Sequence, residues 1–463
     1  MMTREPRLDA GTVLTLAWAF AGAEVERLIV ENWARDPQRD RLTWAAFDHA
    51  LVWTPRMIEV AKQIIERTTI HAHDLEYAVS AIGTTQPDVA IGLLEAILRK
   101  ELRAAKEESA KRVAAAPQGD GDEYWKWRIA ASPREPITDV VERENVWDTL
   151  EALAAARPEP FLDALWPWFT EAMSALADLE SDREGDPVNY FVRYTLDFKF
   201  AEEDAGRDRS GPPILGAIRV ALETLARSDA ERFLAWLAAH ESEEFAPAQR
   251  LFAHVLSLSP QDYAERAHRF LTGDQRRFLL GNHEDRSGTS KRLVAASSPN
   301  WSDAEIAAFV ALINAYAPPP YPNLDAEGRR HFQDTVRIIR LGLLSALPAD
   351  RLPAESRRLV LEEQRRFPRS DRGVRRQGAS WIGSPISAEQ LRKARDEDII
   401  NAFREVPDKY DWDHPNRMIE GGNIQLSRAF AEFAKTDPQR AARLIRGFEP
   451  SFGTRGRGAR PRT

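Results

Sequence analysis

An all-helical chain is the fold class this sequence predicts, and three observations predict it. Apolar residues recur at i, i+3, i+4 and i+7 over most of the 463 residues, the period of a helix with one buried face. Helix-start signals, a capping side chain followed by Pro, return repeatedly along the chain. Alternation with a period of two, the mark of a strand, is almost confined to one stretch. The apolar share of 43% and the charged share of 29% are those of a globular protein.

In chain order, the first element is "TVLTLAWAFAGA" (12–23), apolar and ending in small residues as a signal-peptide core does. Arg4, Glu5, Arg7 and Asp9 ahead of it carry no positive bias. The pattern also runs on through Val25, Leu28 and Ile29, so a helix of the folded protein is expected, with no membrane span. "NWARDPQRDRLTWAAF" is a loose helix–stop–helix unit. In "FDHALVWTPRMIEVAKQII", Thr54 caps and Pro55 starts a helix whose stripe is Met57, Ile58, Ala61, Ile64 and Ile65. "LEALAAARPEPFLDALW" repeats the loose form, and "LETLARSDAERFLAWL" offers Ser228 and Glu231 at capping-box spacing. "FAHVLSLSPQDYAERAHRFL" places Ser259 before Pro260. Near the end, Leu426, Phe430, Phe433 and Ala434 form one stripe, Asp437 and Pro438 restart the chain, and Ala441, Leu444, Ile445 and Phe448 form another. Neither helix of such a pair can bury its stripe alone.

Interruptions mark the boundaries. Residues 114–125 combine Pro, Gly and acid as a linker does. Residues 180–213 are polar at both ends, and inside them Val192, Tyr194, Leu196, Phe198 and Phe200 alternate with Arg193, Thr195, Asp197 and Lys199. That alternation allows a short β hairpin or extended arm near 190–200. "YAPPPYPNLD" (316–325) breaks the helices again, and the tail "GTRGRGARPRT" is basic, of low complexity and expected to be disordered. The divisions are 1–115, N-terminal helical repeats; 116–210, repeats with linker and arm; 211–320, central repeats; 321–452, C-terminal repeats; and 453–463, the tail. The units keep no fixed period, and the Trp, Leu-Gly and Tyr positions of the tetratricopeptide pattern are not satisfied. The expectation is an irregular α-solenoid of helical hairpins, HEAT-like more than TPR-like, with a compact multi-helix globule as the alternative.

Chemistry is sparse. A net charge of −8 argues against a chain-wide glove for nucleic acid. Cysteine is absent, which excludes disulfides, thiolate nucleophiles and Cys-ligated zinc and points to a reducing cytosol. Positive charge is carried mostly by Arg, as GC-rich coding would give. "RSGTSKRL" (286–293) lacks the second Gly and the order of a phosphate-binding loop and reads as a polar loop; no GxGxxG or GxSxG is present. His71 and His73 with Asp74 fall on different helical faces, and the clusters at His283 and at Asp411, Asp413 and His414 have no zinc spacing, so no metal, cofactor or catalytic residue is expected. A basic run, Arg357, Arg358, Arg365, Arg366, Arg369, Arg372, Arg375 and Arg376, ends near Trp381. Glu355, Glu362, Glu363 and Asp371 are interleaved with it, the pattern of a solvated face, while phosphate contact with base stacking is the other reading. Tyr410 and Trp412 add loop aromatics of the kind that anchor protein interfaces. Arg375, Arg376, Trp381, Tyr410 and Trp412 are therefore the candidate partner-binding residues. Most of the 13 Trp residues are expected in the core.

The C-terminal half, roughly 278–450, resembles the helical sensor region that follows the NTPase core in large bacterial STAND NTPases, including Avs-type antiphage proteins. The motifs that carry the resemblance are Ser384, Pro385 and Ile386; the acidic helix start Asp396, Glu397 and Asp398; the step Gly421–Gly422; and the helix pair from Leu426 to Arg440. Residues 292–319 resemble the preceding unit, and residues before Phe278 match in style alone. The resemblance implies a superhelical array that cradles a foreign protein, commonly a viral packaging or assembly component, and signals to an NTPase and effector. This sequence contains neither, so a fragment of a split gene, a partner acting in trans and a detached array with another target all fit. The expected function is a non-enzymatic protein-binding module acting on a phage protein. The alternatives are a general HEAT-like scaffold, a nucleic-acid-binding repeat protein and an enzyme with an unfamiliar site.

Overall fold

In a computed structural model, residues 10–50, 52–67, 79–117, 127, 131–142, 150–179, 213–281, 285–318, 320, 324–367, 384, 386–405 and 423–448 are described. Every regular element among them is helical, as the apolar periodicity predicts. The alternating stretch 192–200 and the tail 453–463 lie outside the described residues. The chain divides into two units, Met1–Val374 and Arg375–Thr463, each with its own apolar core.

The first unit holds α1 (Ala10–Asn32), α2 (Asp40–Asp48), α3 (Pro55–Arg67), α4 (Pro87–Ala114), α5 (Glu135–Val141), α6 (Leu150–Ala156) and α7 (Pro158–Asp178). After these come α8 (Pro213–Ser228), α9 (Ala230–His240), α10 (Ala246–Leu256), α11 (Ala264–Gly273), α12 (Gly288–Ser297), α13 (Asp303–Ala315), α14 (Ala326–Ser345) and α15 (Ala354–Arg366). The second unit contains α16 (Ala388–Lys393), α17 (Asp396–Glu405), α18 (Asn423–Thr436) and α19 (Pro438–Gly447).

Several helix starts follow the sequence signals. Thr54 Oγ1 accepts the Met57 amide at 3.2 Å and Pro55 opens α3. Asp437 accepts the Arg440 amide at 3.1 Å, with Pro438 first in α19. Asp396, Glu397 and Asp398 fill the first turn of α17, where carboxylates favour the positive end of the helix dipole.

Three local expectations are corrected. Ser228 does not cap α9: Asp229 does, accepting the Arg232 amide at 3.0 Å, while the Ser228 hydroxyl bonds back to the Thr224 carbonyl at 2.8 Å. With this start, α9 buries Phe233 and Leu237. Ser259 and Pro260 lie in a turn, and α11 starts only at Ala264, after Tyr263 has reached back to the Ala226 carbonyl at 2.6 Å. The stretch expected as a polar loop, 286–293, instead enters α12 at Gly288. Its Thr289 and Ser290 are buried, because Ser290 Oγ donates to the Arg277 carbonyl at 2.6 Å and accepts the Leu280 amide at 3.1 Å. A hydroxyl satisfied in this way behaves as a small core residue.

Helices of the first unit pack on near neighbours in the chain, in two series. One runs α6, α8, α10, α12, α14, each against the next. The other links α4 to α7 by direct packing and α7 to α9 by Arg232–Glu159 (2.5 Å) and Trp166–Trp236 (ring centroids 4.8 Å apart). It continues from α9 to α11 by Phe233–Tyr263 and from α11 to α13 by direct packing. Pairs α6–α7, α8–α9, α10–α11 and α13–α14 join the two series, and α15 packs on α14. Within the first series α10 is buried from Pro247 to Leu256 at every residue.

Of the nine Trp residues described, Trp44, Trp53, Trp166, Trp168 and Trp301 are buried, and the other four are partly so. Trp18, Trp168 and Trp301 donate from the indole N–H to the carbonyls of Ala46, Leu98 and Ala264 at 2.7, 3.1 and 3.0 Å. Each ring fills a gap between helices and fixes their register through its one polar atom.

Candidate functional site

Among the described residues of the first unit, a dense polar constellation lies where α9, α10, α11 and the 3-10 turn Gln275–Leu279 meet. Arg277 is buried there, and all three of its guanidinium nitrogens donate hydrogen bonds. Nε donates to Gln249 Oε1 at 3.0 Å, Nη1 to Glu241 Oε1 and the Phe270 carbonyl at 2.8 Å each, and Nη2 to the Glu241 carbonyl at 3.0 Å. The cation also lies 4.0 Å from the centroid of Phe270. Burial pulls the guanidinium below its usual value, and the Glu241 and Asp274 charges oppose that pull. Arg266 pairs with the other Glu241 oxygen, and Gln249 Nε2 donates to the Glu241 and Glu243 carbonyls at 2.8 Å each. Arg276 next door bridges Asp274 and Glu244.

A second polar stripe crosses α8, α10 and α12. His254 Nε2 lies 2.8 Å from Glu223 Oε1, and Arg219 and Arg227 flank that carboxylate at 3.8 and 3.3 Å. Burial pushes the Glu223 carboxyl up, but the His254 hydrogen bond and the neighbouring charges outweigh it and hold the group below its ordinary value. Further along α10, Arg250 donates to Thr289 Oγ1 at 3.4 Å, and Arg292 donates to the same oxygen at 3.3 Å.

Both constellations consist of charges occupied by each other or by backbone carbonyls. Chemically they are clasps: they hold a cation against helix ends and leave no nucleophile beside a free base. The same device recurs at other helix termini. Arg67 donates to the Ala34 carbonyl and to Asp40, both at 2.6 Å. Arg351 donates to the Trp301 carbonyl and Asp303 at 2.7 Å each, and Arg340 bonds the Tyr316 carbonyl at the end of α13 at 2.8 Å. In the second unit Arg440 joins Asp396 at 2.7 Å and the Arg392 carbonyl at 2.9 Å. Arginine, with five donors in a planar fork, bridges a carboxylate and a carbonyl at once, which Lys cannot do with fixed geometry. The Arg bias of the composition thus has structural uses beyond what GC-rich coding would give.

The predicted partner-binding residues Arg375, Arg376, Trp381, Tyr410 and Trp412 lie outside the described residues, as do His71, His73, Asp74, His283, Asp411, Asp413 and His414. The described half of the basic run, Arg357, Arg358, Arg365 and Arg366, is exposed on α15. Arg358 pairs with Glu362 at 3.6 Å and Arg366 with Asp334 at 3.3 Å, while Arg337 of α14 takes Glu363 at 2.5 Å. Carboxylates therefore offset much of this positive face. Among the described residues no group of three His, Asp or Glu side chains could hold a metal ion, and no helix is long and apolar enough to cross a membrane. No family model, no curated protein and no solved structure matches this chain.

Proposed function

We propose that this chain is a non-enzymatic α-solenoid whose helical hairpins bind a protein partner, and that it serves as the sensing array of a bacterial antiphage system of the STAND type. One observation carries the binding reading: two series of helices in which each member packs on the next, joined by arginine and tryptophan clasps. Such an array presents a broad, nearly pre-formed surface suited to recognising a folded protein over a large area. The defence reading rests on the motifs at Ser384–Ile386, Asp396–Asp398 and Leu426–Arg440. The signal then passes to a separately encoded NTPase and effector, or to one from which this chain has been split. A cysteine-free chain working on an intracellular phage component belongs in the cytosol.

Affinity capture from phage-infected and uninfected cells, with mass-spectrometric identification, tests the proposal. A phage protein enriched only after infection, and retained in 0.5 M salt by the purified pair, is the expected result. Capture of the same host proteins in both samples would favour a general scaffold. Retention of DNA or RNA that falls steeply with salt, and is lost on Arg357→Glu with Arg358→Glu, would replace both with a nucleic-acid reading.

A further inference from the structure

The two units carry opposite net charge. Arg375–Thr463 holds 17 Lys and Arg against 12 Asp and Glu, a net +5, whereas Met1–Val374 holds 47 against 60, a net −13. Within the second unit most described carboxylates are already engaged. Glu389 takes Lys393 at 2.8 Å, Asp398 takes Arg395 at 3.0 Å, Glu432 takes Lys435 at 2.6 Å and Asp396 takes Arg440 at 2.7 Å. Asp437 is occupied as the cap of α19. Arg392, Arg428, Arg443 and Arg446 are exposed, and among the described residues none of their guanidinium groups has a hydrogen-bond or ion-pair partner. These cations follow the α18–α19 hairpin. Arg440 lies over Phe433, and Phe448 packs on Phe430, so the two helices run antiparallel. Arg443 and Arg446 stand one turn apart on α19, about 4.5 Å along its axis, while Ala441, Leu444 and Phe448 are buried. Arg428 and Arg446 each lie nine residues from the Asp437 cap, at a similar level of the hairpin. Arg392 joins at the start of α19, where Arg440 Nη1 donates to its carbonyl at 2.9 Å.

We propose that this arginine-bearing face of the second unit docks on the phosphate backbone of duplex DNA, without reading its sequence. Charge and spacing fit that partner. A guanidinium matches a phosphate through two parallel hydrogen bonds, and each strand offers a phosphate about every 3.4 Å of axis, so arginines one helical turn apart reach neighbouring phosphates. A protein or a membrane would lack its anchor. Among the described residues every exposed large apolar side chain belongs to the first unit, whereas the centre of a protein interface, or a helix seated on lipid, needs such side chains. Single strands are disfavoured because Phe403, Phe430, Phe433 and Phe448 are buried, which leaves no ring among them for unpaired bases to stack on. Duplex RNA is read partly through its 2′-hydroxyls, and exposed Ala442 and Gly447 beside these arginines have no side-chain group to bond them. The sequence continues the same charge: after Glu449 it holds Arg455, Arg457, Arg460 and Arg462 and no acid.

Fluorescence anisotropy of a labelled 20-bp duplex of arbitrary sequence, titrated with the full chain, tests this. The logarithm of the affinity is expected to fall against the logarithm of salt concentration with a slope of about −3, the value for three or four neutralised phosphates. Arg443→Gln with Arg446→Gln is expected to weaken binding at least tenfold at 50 mM salt and to make the slope shallower by about 2, with unchanged circular dichroism. Arg428→Gln alone should make it shallower by about 1, a second reading should the double variant misfold. Arg357→Gln with Arg358→Gln, exposed in the first unit, should change neither quantity. No binding at 50 mM salt, a slope indifferent to the second-unit variants, or an equal loss in the first-unit pair would each overturn the proposal. Tighter retention of single-stranded DNA, duplex RNA or poly-glutamate would overturn it in favour of that partner. Capture of a phage protein has no bearing on these readings, so this proposal and the protein-binding one fail separately.

Discussion

At the scale of single residues, the clasp around Arg277 makes the sharpest demand on the sequence. Its buried guanidinium donates to one partly buried carboxylate, one amide oxygen and two backbone carbonyls. Arg277→Met fills similar volume but takes the donor from the Phe270 carbonyl and from Gln249 Oε1, and leaves the Glu241 carboxylate with Arg266 alone. We expect a loss of about 1–3 kcal/mol of stability, read from the urea midpoint, because a buried acceptor left without its donor costs its desolvation. Glu223 gives a pH signature. Its carboxyl is held below the ordinary value of 4.5 in the folded chain, so the stability it contributes is complete above 4.5. That contribution drains away as pH falls through the folded value. Urea midpoints measured from pH 7 to pH 3 should therefore drop on acidification, and drop less in Glu223→Gln. Asp274, pushed up by burial and brought down further by its bonds to Arg276, adds in the same direction. Neither clasp was legible in the sequence. Arg277 and Glu241 are 36 positions apart, and His254 and Glu223 are 31 apart, so only folding brings them together.

At the scale of elements, helix starts were the most legible feature and also the place of the clearest miss. Thr54–Pro55 and Asp437–Pro438 behave as their side chains require. At the start of α9 two adjacent residues, Ser228 and Asp229, could each cap, and local chemistry does not choose between them. Burial of Phe233 and Leu237 does, by fixing the rotation of the helix. The test compares two alanines. Asp229→Ala is expected to cost about 1 kcal/mol, the usual value of a lost N-cap. Ser228→Ala should cost almost nothing, since its hydroxyl only bonds back within α8, and equal losses in thermal melts would restore the original capping box. The start of α12 was missed for a related reason. Thr289 and Ser290 look like surface residues until Leu280 and the Arg277 carbonyl are brought against them. Polar residue types predict exposure only while their partners are unknown.

For the whole molecule, the two apolar cores are the feature with the largest thermodynamic consequence. The core of the second unit is built from Leu391, Ile399, Phe403, Leu426, Phe430, Phe433, Ala441, Leu444 and Phe448, with Phe430 ringed by three other phenylalanines. Differential scanning calorimetry should resolve two transitions. Phe430→Ala should lower only one of them, by the roughly 3–5 kcal/mol that truncating a buried Phe costs. A single transition displaced as a whole would mean that the units melt together. The periodicity that exposed the helical class also implied these stripes, yet it could not say which helices share a core, because an apolar face fits any other apolar face of like size. One consequence of the wholly enclosed α10 follows. A backbone amide there can trade its hydrogen for deuterium only when the surrounding helices part, so Leu251 to Val255 should be among the slowest exchangers of the first unit. Their rate then reads the free energy of opening that unit as a whole, making a few buried amides a gauge for every substitution made around them.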